Sequence, residues 1–105
     1  MLEIIGEVDF KERSQMMRPG VVRPDPNEFL HIPILRLRIL LSSGKLVQVL
    51  YKGEPPGDAD IGEQVVVKGI DRGGVIHARS IYNLTTNSWV TVPPGLLQKL
   101  FGDLF

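Results

Sequence analysis

A chain of 105 residues with 43% hydrophobic and 23% charged side chains is one folded domain with a modest core, and its composition excludes a disordered segment. Twelve basic and twelve acidic residues cancel, which argues against a generic polyanion binder, and the absence of cysteine removes disulfides and thiolate metal sites. No stretch approaches the roughly 18 apolar residues of a membrane helix, and no charged start leads into an apolar run, so the cytoplasm is the expected location.

Residues 2–13 alternate from Ile4 onward and predict a strand. Ile4, Gly6, Val8 and Phe10 fall on its inner face, and Glu7, Asp9 and Lys11 on its outer face. Gly6 marks a bend or bulge. Residues 14–28 carry Pro19, Pro24 and Pro26 and read as a long loop. Residues 29–42 are a β-rich run with Leu35, Leu37, Ile39 and Leu41 on one face and Ile34, Arg36 and Arg38 on the other. A turn at 42–45 returns the chain as a strand over 46–52, with Val47, Val49 and Tyr51 inward and Gln48 and Lys52 outward.

Charge is unevenly placed along this half. Residues 29–52 hold Arg36, Arg38, Lys45 and Lys52 and no acid, whereas residues 53–63 hold Glu54, Asp58, Asp60 and Glu63 and no base. That acidic stretch, "GEPPGDADIG" with Glu63, is a proline-broken connector with room for one helical turn at most. Val65 and Val67 then alternate into a strand. Gly69 interrupts it, "DRGG" turns, and residues 75–81 run back. Gly73 and Gly74 supply the positive φ angles that a tight hairpin requires. "YNLTTNS" is polar and turn-like, and residues 89–92 predict one more short strand. Leu96, Leu97, Leu100, Phe101 and Leu104 recur at helical spacing after Pro93 and Pro94.

Five strands of this length bury their edges best as a barrel. The order β-β-β-connector-β-β, with the last hairpin built on Gly62, Val65, Val67, Gly69, Gly73, Gly74, Ile76, Ala78 and Ile81, resembles the oligonucleotide/oligosaccharide-binding (OB) fold over roughly residues 2–82. The resemblance implies an all-β, five-stranded Greek-key barrel over residues 1–92. Residues 93–105 follow as a Pro-Gly linker and an amphipathic helix. It further implies that the outer face of the second and third strands tracks single-stranded nucleic acid. Arg36, Arg38, Gln48 and Lys52 would meet the phosphates, and Phe29 and Trp89 would offer stacking surfaces.

Two competing accounts stand beside this one. Glu3, Glu7 and Asp9 belong on the same outer surface and would pair with the arginines structurally, each pair contributing about 0.2–1 kcal/mol. Alternatively the chain is a protein-interaction or assembly domain, binding a partner through Leu97, Leu100, Phe101 and Leu104. His31 and His77 stand in no ligand or catalytic spacing, and no serine lies in a nucleophile motif. Neither a cofactor, a metal nor an enzymatic activity is expected. "NLT" at 83–85 fits a glycosylation sequon.

Overall fold

A computed structural model of the chain describes residues 1–17 and 31–93. They form an all-β domain of six strands: β1 (Leu2–Met17), β2 (His31–Leu41), β3 (Leu46–Lys52), β4 (Gln64–Arg72), β5 (Val75–Asn83) and β6 (Ser88–Trp89). The sheet order is β3-β2-β1-β4-β5-β6, with every neighbouring pair antiparallel. A short parallel pairing of Gln48–Leu50 with Val75–His77 joins β3 to β5 and closes the sheet partly into a ring. The five expected strands are present, and the segment predicted at 89–92 is a sixth strand of two residues. The amphipathic helix expected within 93–105 lies outside the described residues; of the loop expected over 14–28, residues 14–17 instead continue β1 along β2, and the rest lies outside the described residues.

The period-two pattern fills the ring's interior. Val8, Leu35, Leu37, Ile39, Val49, Val65, Val67, Ile76 and Ile81 are buried together, with Ala59 and Val90 closing one end. Each such side chain contributes about 1.5–3 kcal/mol by leaving water. Tyr51 and Val47 pack against this cluster from β3, as the alternation predicts.

The expectation for β1 fails at one place. Its register with β2 slips between Val8 and Phe10, so that Val8 opposes Ile39 and Phe10 opposes Arg38, with Asp9 as the extra residue. A bulge of this kind sends every later side chain to the other face. Phe10, expected in the core, therefore stands outside and is 42% exposed. Lys11, expected outside, opposes Leu37 on the inner side. The cause is the connector. Val8 donates its amide to the Glu63 carbonyl (2.9 Å) and accepts from the Gly62 amide (2.9 Å), so β1 parts from β4 here and continues along β2 alone. Gly6 is not the bulge. It lets the Leu40 backbone approach so closely that a Cβ would collide with its carbonyl oxygen.

The bulge also explains the acidic connector. Lys11, turned inward, reaches Asp58 at 2.6 Å and Asp60 at 3.2 Å, and Arg13 reaches Asp58 at 3.2 Å. The Lys11 ammonium is held above its ordinary value by the hydrogen bond it donates to Asp58, with burial opposing and Asp60 adding. The Asp58 carboxyl is held below its ordinary value by Lys11, again against burial, with Arg13 and the Ala59 amide adding. Because the carboxyl's folded pKa lies below 3.8, its contribution is in place above that pH and is lost as pH falls through the lower folded value. The ammonium's contribution is in place below 10.5 and is lost as pH rises through its higher folded value. An Asp58→Asn variant should therefore be less stable than the parent by a constant amount, at most about 1 kcal/mol for such half-exposed groups, between about pH 5 and 9. The gap should close below about pH 4. Denaturant melts at stepped pH measure it, and a gap that widens in acid would contradict the assignment.

Candidate nucleic-acid interface

Ring closure brings β1, β2, β3 and the β4–β5 hairpin to one side. Register fixes the rows. Phe10 opposes Arg38, Arg38 opposes Gln48, and Gln48 opposes Val75. In the next row Glu12 opposes Arg36, Arg36 opposes Leu50, and Leu50 opposes His77. Apart from Glu12, these rows line an open cleft of about 310 Å³, and Arg72, beside the hairpin's turn, lines it too. Lys52 stands one row further along, opposite Ile34.

The cleft is rich in donors and presents the Phe10 ring beside the His77 imidazole. The Arg38 guanidinium lies over the Phe10 ring, 5.7 Å from its centroid. Its Nε and one terminal nitrogen both reach the same Asp9 carboxylate oxygen at 2.6 Å. Arg36 pairs with Glu12 at the longer distance of 3.8 Å. Among the described residues Arg72 and Lys52 have no ion-pair partner. Arg38 is thus fixed in place and largely neutralised, Arg36 is loosely held, and Arg72 is the cleft cation with no ion-pair partner among the described residues.

Sequence reasoning placed Arg36, Arg38, Gln48 and Lys52 on one surface, and there they stand, the first three in the cleft itself. Structural pairing of the arginines is also present, with the expected acids only in part. Asp9 is a partner as expected, Glu12 replaces Glu7, and Glu3 approaches Lys68 at 3.8 Å instead. Phe29 and the partner-binding residues Leu97, Leu100, Phe101 and Leu104 lie outside the described residues. Trp89 is not brought to the arginines. It packs edge-on against Tyr82, 5.0 Å between centroids and 73° between planes, on the outer face of β5 and β6. It ends a row that runs Ile5, Val66, Tyr82, Trp89 across four strands.

Three cleft residues escaped the sequence. Phe10 was hidden by the bulge. Arg72 and His77 belong to the hairpin that meets β3 only because the ring closes, and no local pattern signals that meeting. Asn83, the sequon asparagine, is fully buried with its amide engaged, so the folded chain offers no acceptor there.

Neither a protein-family model, nor a curated protein, nor a solved structure matches this chain.

Proposed function

We propose that the chain is a non-catalytic binding module of the OB type that holds single-stranded nucleic acid in the cleft over β2 and β3. The strand circuit β1-β2-β3-β5-β4 supports the fold reading, since it is the order that such a barrel takes when β3 and β5 meet in parallel. The observation that carries the function is the meeting of Phe10 with Arg36, Arg38 and Arg72 in one cleft. A single strand needs a cation for its phosphates and a π-face for a base, and both are within one nucleotide's reach. The alternative, an assembly domain, draws on the apolar row that ends at Trp89.

Fluorescence titration of a labelled single-stranded oligonucleotide tests the proposal. Affinity should fall steeply between low and moderate salt. Phe10→Ala should weaken binding by about 1–3 kcal/mol, or roughly 5–150-fold, the usual worth of one stacked base. Arg72→Ala should weaken it uniformly across sequences and lower the salt slope by about one. Arg36→Glu with Arg38→Glu should abolish it. An absence of binding at tens of micromolar, or binding indifferent to Phe10 and Arg72, overturns the reading.

A further inference from the structure

We propose that the outer row Ile5–Val66–Tyr82–Trp89 is the docking face for the chain's own segment 96–104. The row is continuous by register. Ile5 opposes Val66, Val66 opposes Tyr82, and Tyr82 opposes Trp89. Its ends stand out from the sheet, with Ile5 53% and Trp89 38% exposed. Leu84, whose amide bonds the Gln64 carbonyl at 2.8 Å, adds another exposed side chain beside it. Contiguous apolar surface of this kind calls for a cover.

Polar side chains border the row on both sides. Glu3 and Lys68 pair along one margin, and Glu7 and Gln64 oppose each other along the other. A cover must therefore run along the row, across the strands. Three strand spacings make the row about 14 Å long. The nine residues 96–104 carry Leu96, Leu97, Leu100, Phe101 and Leu104 at helical spacing, with Gln98, Lys99 and Asp103 on the opposite side. As a helix they would measure about 13 Å. Length and chemistry match.

Connectivity selects this occupant over a second molecule. The row ends at Trp89. The chain then passes Val90, whose amide bonds the Ile81 carbonyl at 3.0 Å, and reaches Pro93, with only Pro94 and Gly95 between it and the segment. So short a tether holds its segment at millimolar effective concentration, far above any ordinary protein concentration. The other large apolar opening, about 360 Å³ between Leu2, Leu46 and Ile76, lies at the far end of the strands.

Trp89 is the sole tryptophan and sits where docking would be read. Leu100→Asp with Phe101→Asp in the full chain should shift its emission to the red and raise its acrylamide quenching about twofold, since the ring loses its cover. Ile5→Asp, at the row's opposite end and outside the core, should raise the same quenching without touching Trp89. In the parent the protection should be equal from about 1 to 100 μM, as a tethered contact requires. Far-UV circular dichroism checks that each variant keeps its β-signal. Quenching unchanged by the tail substitutions, quenching unchanged by Ile5→Asp, or protection that grows with concentration each overturns the proposal; the last would assign the row to a second copy. Oligonucleotide binding plays no part in the readout, so the two proposals fail separately.

Discussion

Asn83→Ala is expected to be the most damaging polar substitution in the chain, costing about 3 kcal/mol or more. Asn83 is fully buried at the end of β5, and all of its side-chain capacity is used. Its amide nitrogen donates to the Asp58 carbonyl at 3.2 Å and to a Glu63 carboxylate oxygen at 3.1 Å. Its oxygen accepts from the Thr85 amide at 3.0 Å and the Thr86 amide at 3.1 Å. One side chain thus fastens the β3–β4 connector, the end of β5 and the turn into β6. Alanine removes four bonds to part-buried groups at once, each worth about 0.5–1.5 kcal/mol. In a domain of this size the melting temperature should fall by roughly 12–24 °C. Asn83→Asp keeps the acceptor but sets a carboxylate against Glu63, and should be nearly as harmful at neutral pH. A fall of only a few degrees for both would show that the four bonds hold nothing essential.

Gly57→Ala is expected to cost about 2–3 kcal/mol for a wholly steric reason. A Cβ there would collide with the Trp89 carbonyl oxygen and lie 3.0 Å from the Val90 Cα. Both obstacles are backbone, and the backbone cannot swing aside as a side chain does. The Gly57 amide also donates to the Val90 carbonyl at 2.9 Å, so relief by separation would break the bond that ties the connector to the chain after β6. Gly44 is the proper control. Its φ of 88° is positive, but open space surrounds it. Gly44→Ala should cost about 1 kcal/mol, the penalty of a left-handed alanine alone. Chemical denaturation of the two variants compares crowding with conformation. Equal losses would show that crowding at Gly57 adds nothing to the conformational penalty.

Legibility in the sequence followed the range of the forces involved. The strand over 46–52, the inward set Leu35, Leu37 and Ile39, and the hairpin around Gly73 and Gly74 rest on neighbours within a few residues, and alternation reveals them. The bulge at Asp9 rests on the connector bonding to Val8 from more than fifty residues away, and no local pattern announces it. Hence alternation alone assigns Phe10 to the core and hides the phenyl ring of the cleft. Asn83 escaped for the same reason, since a polar residue in a turn-like stretch reads as solvated until its distant partners are known. The cations on β2 and β3 were legible because they alternate with core residues. Arg72 and His77 were not, because their neighbourhood exists only once β3 and β5 meet.

That meeting has a consequence for anything the cleft holds. Between β3 and β5 the barrel is sewn by a three-residue seam, whereas β4 and β5 are joined along nearly their whole lengths. The cleft sits astride the seam, with Arg38 and Gln48 on one bank and Arg72 and His77 on the other. A ligand that touches both banks stitches the shortest junction of the ring, so occupancy and the integrity of the ring are two readings of one equilibrium.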